Sequence, residues 1–175
     1  PGLLIITHEC FEDERGFFLE SYREDALAKF EVPHFVQDNH SRSSRGVLRG
    51  LHYQIEPKSA GKLVRCMQGE IFDAVVDIRV GSITYGKWFG LTLSQENHKM
   101  LYVPPGFAHG FVTISEHAEI FYKMTDYYSK EHDKGIRWND PAIGIAWPEN
   151  IKPLLSAKDM DAPILQDAEN NLTFG

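Results

Sequence analysis

The sequence predicts an all-β protein built from many short strands, as a sandwich, a barrel or a jelly roll. Three runs alternate apolar and polar side chains with the period of two that is typical of strands. They are EIFDAVVDI (70–78), KWFGLTL (87–93) and HAEIFYKMT (117–125). Turn signals recur between such runs, namely Gly69-Glu70, Gly81-Ser82, Pro104-Pro105-Gly106 and Asn139-Asp140-Pro141. The pattern therefore favours strands over helices along most of the chain.

One early segment has the pattern of a helix. Ser21 and Glu24 form an S-x-x-E capping box ahead of the apolar residues Ala26, Leu27 and Phe30. A serine in this position accepts a hydrogen bond from the backbone of the first helical turn. We therefore expect a short N-terminal helix capped by Ser21.

The three alternating runs predict which side chains share a face of each strand. In each run, every second residue belongs to one set. The first sets are Phe72, Ala74, Val76 and Ile78; Phe89, Leu91 and Leu93; and Ala118, Ile120, Tyr122 and Met124. The opposite sets are Asp73, Val75 and Asp77; Trp88, Gly90 and Thr92; and Glu119, Phe121 and Lys123.

The C-terminal stretch WPENIKPLLSAKDMDAP (147–163) is too rich in proline to predict regular structure. We expect it to wrap the body of strands. Repeats, low-complexity tracts and linkers are not evident, so residues 1–175 are predicted to form one domain.

Composition limits the functional classes. A formal net charge of −7 argues against a general nucleic-acid binder, although it allows a local basic pocket for an anionic ligand. The sequence shows neither a membrane-spanning apolar run nor a signal-peptide pattern, which predicts no membrane partner. Cys10 and Cys66 are too few for a disulfide framework and fit free thiols. We therefore expect a cytoplasmic protein.

Polar side chains that carry chemistry recur in seven short motifs. The motifs are RGFFLESY (15–22), FVQDNHS (35–41), GVLRGLHYQ (46–54), GKLVR (61–65), PPGFAHGF (104–111), YKMTDYYS (122–129) and LSAKD (155–159). Singly, each has an ordinary structural interpretation. His52 fits a hydrogen-bonded strand histidine, Tyr122 a core tyrosine, Lys62 and Arg49 surface charges, and Asp159 a turn cap. Burying several such groups in one fold is costly unless they are paired or used, which favours a functional site.

The motifs GVLRGLHYQ and PPGFAHGF together resemble the cupin layout, a small jelly roll in which two strand regions each contribute a histidine. Metal-binding cupins carry an H-x-H pair in the first region, whereas this chain reads His52-Tyr53-Gln54. A metal usually needs at least three protein ligands, so His52 and His109 alone predict no metal. The fold class predicted is a cupin-type jelly roll with a short N-terminal helix and a C-terminal wrapping segment.

The ordered motifs make the resemblance more specific. FVQDNHS, GVLRGLHYQ, GKLVR, TYGKW, PPGFAHGF and YKMTDYYS resemble those of the dTDP-4-dehydrorhamnose 3,5-epimerase family, metal-free cupins that act on a nucleotide-linked 4-keto-6-deoxyhexose. The resemblance extends from about FEDERGFFLESY (11–22) to LSAKD (155–159). It implies an isomerase that needs no cofactor, and a homodimer whose site borrows residues from the partner subunit.

The resemblance also implies catalytic roles. The C4 ketone acidifies the protons at C3 and C5, so epimerisation needs a base on one face of the ring and an acid on the other. By resemblance His52 is the base, Tyr122 is the acid, and Asp159 orients the imidazole. Lys62 is the candidate that stabilises the enolate oxygen.

Substrate contacts are implied in the same way. Arginine forks suit phosphate oxygens, so the resemblance places Arg15 and Arg49 at the diphosphate. Tyr128 matches a tyrosine that stacks on the thymine. Further matched contacts are Glu20, Gln37, Asn39, His109 and Lys158, and Asp133 stands where some relatives carry glutamate.

Three alternatives remain open from the sequence. Relatives with the same motifs epimerise only C3 or only C5, in the synthesis of antibiotic sugars. A thymine-stacking tyrosine does not exclude uridine. The third alternative is a metal-dependent or non-catalytic cupin that binds a sugar nucleotide or small acid.

Overall fold

The computed structural model describes residues 2–174, and their regular secondary structure is mainly antiparallel β-strand. Across these residues the strands are β1 Leu4–Ile6, β2 Cys10–Asp13, β3 Gly16–Leu19, β4 Gln37–Ser44, β5 Leu48–Gln54, β6 Lys62–Gln68, β7 Glu70–Asp77, β8 Trp88–Ser94, β9 Met100–Val103, β10 Phe107–Thr113, β11 His117–Met124 and β12 Asp133–Gly135. The helices are α1 Glu24–Ala28 and α2 Ala157–Met160, with a 3-10 turn at Leu165–Asp167. The all-β prediction is confirmed.

Ten of the strands form two five-stranded sheets. The first sheet has the order β1-β9-β6-β11-β4, and the second has the order β12-β5-β10-β7-β8. Every strand pair within them is antiparallel. Strands β2 and β3 pair only with each other among the described residues, as a hairpin spanning residues 10–19.

The main core lies between the two sheets. Val64, Leu101 and Ile120 of the first sheet pack with Ile71 and Leu93 of the second, and all five are almost fully buried. The alternation predicted for 117–125 is confirmed, because Ala118, Ile120 and Met124 are buried while Tyr122 is half-buried beside the same core. Burial of this apolar surface is the main source of stability in such a sandwich.

Strand β7 is buried on both faces. Val75 belongs to the core between the sheets, and its neighbour Val76 packs outside the second sheet against the C-terminal segment. Asp73 and Asp77 are consequently buried as well. The predicted alternation is correct for β7, but the sequence did not reveal that the outer face would be covered.

The predicted capping box at Ser21 is wrong. Helix α1 begins at Glu24 with Arg23 as its N-cap, and no side chain caps it. Tyr22 lies edge-on against Phe35, with ring centroids 5.8 Å apart, on the outer face of the first sheet. This packing holds residue 22 outside the helix, and Phe30 lies beyond the helix end and is exposed.

The C-terminal segment wraps the strands as predicted. Leu154 exchanges backbone hydrogen bonds with residues 46 and 48 at the start of β5. The segment also contains α2, which the proline content had argued against. Ser156 caps this helix by accepting a hydrogen bond from the Asp159 backbone, 3.2 Å away. Among the described residues, no helix combines the length and the apolar character needed to cross a membrane.

Candidate active site

A cavity of about 180 Å³ lies between the two sheets. Its lining residues are Ser41, Arg49, His52, Lys62, His109, Phe111, Ile120 and Tyr122. Five of these eight were predicted from the sequence as site residues. The other three are a small hydroxyl and two core-type side chains, which carry no functional signal in a sequence.

A larger and more open groove of about 430 Å³ surrounds Trp138 and Trp147. Its buried carboxylate, Asp140, accepts hydrogen bonds from the backbone of Ala142 and Leu165. These bonds hold the C-terminal segment in place, so the Asp140 carboxylate already has a structural role. The smaller cavity is therefore the candidate active site.

Strands β5 and β10 bring two histidines side by side. His52 and His109 are direct partners in the β5–β10 register. Gly50 and Gly110 make this close approach possible, because a Cβ atom added at Gly50 would lie 2.5 Å from the Cα atom of Gly110. Gly50 also has φ +128°, a conformation that other residues avoid.

The His52 imidazole contacts Asp159 of helix α2. The Nε2 atom of His52 lies 2.5 Å from Oδ1 of Asp159, and Ser156 donates to Oδ2 at 2.8 Å. Burial alone would raise the pKa of Asp159, but the hydrogen bond and charge of His52, with help from Ser156 and Lys158, lower it overall. The carboxylate is therefore ionised, and both of its oxygens have side-chain partners.

His109 has a carboxylate partner that the sequence analysis did not assign to the site. Its Nε2 atom lies 2.9 Å and 3.1 Å from the two oxygens of Asp73, which is fully buried on β7. An aspartate inside an apolar strand was visible in EIFDAVVDI, and its burial requires a partner. That requirement is the signal that could have found it.

Lys62 and Tyr122 line the cavity from the first sheet. Burial lowers the pKa of Lys62 from 10.5 to about 8, with the nearby Asp133 and Asp73 carboxylates acting in the opposite direction. The pKa of Tyr122 is raised, mainly by burial. Lys62 donates from Nζ to the backbone carbonyl of His52 at 3.5 Å, and Tyr122 lies on the sheet opposite to that of His52.

Three predicted contact residues form a hydrogen-bonded group at the junction of β12, α2 and the loop 125–132. Tyr128 donates its hydroxyl to Oδ2 of Asp133 at 2.9 Å, and Lys158 contacts the same oxygen at 2.5 Å. The Tyr128 side chain is half exposed, so its ring is accessible to a planar ligand. Arg49, on the cavity lining, donates from Nε to Ser43 at 3.1 Å, and its two NH₂ groups have no hydrogen-bond partner among residues 2–174.

The amides Gln37 and Asn39 lie on β4 beside Tyr128. Gln37 accepts a hydrogen bond from the Tyr128 backbone at 2.9 Å and donates to the side-chain oxygen of Asn39 at 3.0 Å. Within residues 2–174, the buried Nδ2 atom of Asn39 has no hydrogen-bond partner. A buried donor of this kind is expected to find a partner in a ligand or another chain.

Gln54, which stands where metal-binding cupins carry a histidine, binds backbone groups. Its Nε2 atom donates to the carbonyl of Lys58 at 2.6 Å and to that of Tyr127 at 3.3 Å. Its Oε1 atom accepts from the Ser129 backbone at 2.6 Å. The side chain thus anchors the loop that carries Tyr128.

Arg15 and Glu20 lie outside the cavity. Arg15 is in the turn of the β2–β3 hairpin, where it forms an exposed ion pair with Asp13. Glu20 follows that hairpin and is exposed. Within one chain, the structure does not bring these two predicted contacts to His52.

Comparison with known proteins agrees with this geometry. The profile of a family described as dTDP-4-dehydrorhamnose 3,5-epimerase matches residues 1–167. A curated protein of that name from Salmonella typhimurium is 54% identical over 170 residues, which cover 96% of this chain and 93% of the relative. The chain belongs to the dTDP-4-dehydrorhamnose 3,5-epimerase family.

Solved structures of family members share the fold. A dTDP-6-deoxy-D-glucose-3,5-epimerase from Legionella pneumophila, in complex with dTDP-4-keto-L-rhamnose, superposes with a TM-score of 0.91. It is 47% identical, and the match covers 94% of this chain and 88% of that one. A 4-keto-6-deoxy sugar epimerase from the novobiocin biosynthetic gene cluster of Streptomyces spheroides superposes with a TM-score of 0.91 at 39% identity. The match covers 95% of this chain and 84% of that one. These matches confirm the predicted cupin-type fold.

Proposed function

We propose that this chain epimerises C3 and C5 of a dTDP-linked 4-keto-6-deoxyhexose, converting dTDP-4-dehydro-6-deoxyglucose to dTDP-4-dehydrorhamnose. Membership of the family and the ligand of the Legionella relative support this substrate. One observation carries the assignment. His52 and Tyr122 line the same cavity from opposing sheets, as a reaction that removes a proton from one face and returns one to the other requires.

In this proposal His52 removes the proton next to the C4 ketone. The fixed carboxylate of Asp159 orients the imidazole and stabilises the imidazolium that forms. The carbon acid becomes an enolate, whose oxygen carries the developing negative charge. The ammonium of Lys62 stabilises that oxygen, and the partly apolar cavity strengthens the interaction.

Tyr122 then returns a proton to the opposite face of the ring. Its raised pKa keeps the phenol protonated at neutral pH, so it is a donor when the enolate is present. His109, fixed by Asp73, contacts the sugar beside His52. No step of this sequence requires a metal or an organic cofactor.

The nucleotide is proposed to bind at the group formed by Tyr128, Asp133 and Lys158. Tyr128 stacks on the thymine, and Gln37 and Asn39 contact the nucleotide from β4. Arg49 binds the diphosphate through its free guanidinium donors. The half-exposed ring of Tyr128 and the unpartnered amide of Asn39 support these contacts.

We further propose that the protein is a cytoplasmic homodimer in which Arg15 and Glu20 reach the partner's site. The hairpin that carries Arg15 exposes three phenylalanines, Phe11, Phe17 and Phe18. Exposed apolar groups of this size, clustered on one hairpin, are typical of an interface. The free thiols support a reducing compartment.

Deuterium exchange in heavy water tests the proposed function. Incubation with dTDP-4-keto-6-deoxyglucose in heavy water, followed by NMR, should show deuterium at both C3 and C5 and a product inverted at both. Exchange and inversion at a single position would identify a single-site epimerase. Binding without exchange would overturn the catalytic proposal in favour of a non-catalytic cupin. His52→Ala is the matched control, since losing a general base typically costs about 10²–10⁴-fold in rate.

A further inference from the structure

A cluster of potential metal ligands lies outside the catalytic cavity. Cys10 and Glu12 on β2 and His98 in the turn before β9 place one ligand atom each within 4.8 Å of one another. Among residues 2–174 this is the only such group of three or more histidine, cysteine or acidic side chains. None of the three residues lines the catalytic cavity.

The cluster follows from local strand geometry. Cys10 and Glu12 are two residues apart on β2, so their side chains share one face. Phe17 is the partner of Glu12 across the hairpin, and the His98 ring packs on the Phe17 ring with centroids 4.7 Å apart. His98 reaches this position with φ +50°, an uncommon conformation for a residue other than glycine.

We propose that Cys10, Glu12 and His98 bind one divalent transition-metal ion of the zinc class. A thiolate, an imidazole and a carboxylate are the ligands that Zn²⁺ takes in proteins. The Sγ atom of Cys10 lies 4.0 Å from Oε1 of Glu12. Ligand atoms of a tetrahedral zinc site are roughly 3.5 Å apart, so small side-chain rotations complete the geometry.

His8 is the candidate fourth ligand. It precedes Cys10 by two residues, although it lies outside the group whose ligand atoms are all within 4.8 Å of one another. Within the described part of the chain, its buried Nε2 atom has no hydrogen-bond partner. A lone pair that is buried and unpartnered is available to a metal.

Charge balance also fits. A thiolate and a carboxylate neutralise one divalent cation, so the loaded site adds no net charge next to Arg65.

The metal would connect two elements that are otherwise weakly joined. A two-stranded hairpin has little stability of its own, and the β2–β3 hairpin pairs with no further strand among the described residues. Ligands from β2 and from the turn before β9 would fix the hairpin to the first sheet. The role is structural, and it does not depend on the catalytic assignment.

Cobalt binding to the untagged, metal-stripped protein tests the proposal. Co²⁺ should bind with one equivalent per chain and produce a thiolate-to-cobalt charge-transfer absorption, which Zn²⁺ removes by displacement. Cys10→Ser should abolish the absorption. His98→Ala should weaken binding by more than the roughly 10–100-fold that substitutions outside the ligand shell cost. Cys66→Ala, at the buried thiol of the core, is the matched control and should leave the absorption unchanged.

Denaturant unfolding gives a second readout that does not rely on spectra. At a free Zn²⁺ concentration about 100 times Kd, the equilibrium constant for unfolding of the wild-type protein should fall by about 100-fold per site. Cys10→Ser, unfolded with the same zinc, should lose this stabilisation. A wild-type protein without thiolate absorption, or a Cys10→Ser variant that keeps the absorption or the stabilisation, would overturn the proposal.

Discussion

His52 and His109 are neighbours in the cavity, and each is paired with one carboxylate, but their surroundings differ. The His52 side chain is 29% exposed, whereas that of His109 is 9% exposed and its partner Asp73 is fully buried. A base must meet the substrate and exchange protons, and the more accessible ring suits that task. The buried pair suits a fixed contact to the sugar.

The division of labour between His52 and Tyr122 predicts different defects. Tyr122→Phe keeps the base and the oxyanion stabiliser, so deprotonation continues while inversion is lost. In heavy water the sugar should gain deuterium with its original configuration, because His52 can return a proton to the face it came from. His52→Ala should stop both exchange and inversion. Efficient inversion by Tyr122→Phe, measured by NMR, would show that another acid serves the far face.

The lowered pKa of Lys62 predicts a loss of activity at alkaline pH. The ammonium that we propose to stabilise the enolate is lost as the pH rises through about 8, so kcat/KM should fall above that pH. Lys62→Arg keeps the charge and should move this descending limb to higher pH. Lys123→Arg, at a lysine paired with Asp38 outside the cavity, is the control and should leave the limb in place. If the descending limb of kcat/KM stays near pH 8 in Lys62→Arg, a group other than Lys62 causes it.

Among the elements, the loop 125–132 is anchored through the Gln54 side chain. Gln54 satisfies one backbone donor and two backbone carbonyls of the region, so Gln54→Ala leaves buried groups without partners. We expect a cost of about 1–3 kcal/mol in the free energy of unfolding and a raised KM, because Tyr128 loses its support. Denaturant unfolding and steady-state kinetics measure the two effects.

The exposed amide Gln95 is the matched control for that change. It accepts one backbone hydrogen bond from Gly69 at the surface, so Gln95→Ala should alter stability by less than about 0.5 kcal/mol. Equal effects of the two substitutions would show that Gln54 does not anchor the loop.

At the scale of the whole molecule, the position of Arg15 predicts complementation between defective subunits. Arg15→Ala and His52→Ala should each be nearly inactive as homodimers. In a mixed dimer, one site combines an intact His52 with Arg15 from the partner. Random assembly makes about half of the dimers mixed with one complete site each, so about a quarter of wild-type activity should return.

The two variants are best coexpressed with different tags. The mixed dimer, once isolated, should show about half of the wild-type activity, because one of its two sites is complete. The parental homodimers, assayed alone, are the controls. If Arg15 served its own subunit, both sites of the mixed dimer would be defective and no activity would return. A monomer in sedimentation experiments would contradict the dimer itself.

The ordered motifs were enough to predict the family, the fold class and five of the eight cavity residues, because those residues are polar groups set into apolar strands. Ser41, Phe111 and Ile120 were not predicted, since their side chains look the same in a cavity wall as in an ordinary core. Such positions acquire a role only through the neighbours that the fold gives them.

The sequence by itself determined the strand periodicity, the residue types of the site and the chemistry they allow. Tertiary structure decided the rest. It paired Asp73 with His109, a contact between residues distant in sequence that forms only when the strands assemble. The contact of Asp159 with His52 was expected from the family resemblance, but its position on a helix was not. Tertiary structure also moved the start of α1 to Glu24, because the packing of Tyr22 outweighed a local cap worth about 1 kcal/mol. Local signals are weak beside burial, and burial is a property of the folded whole.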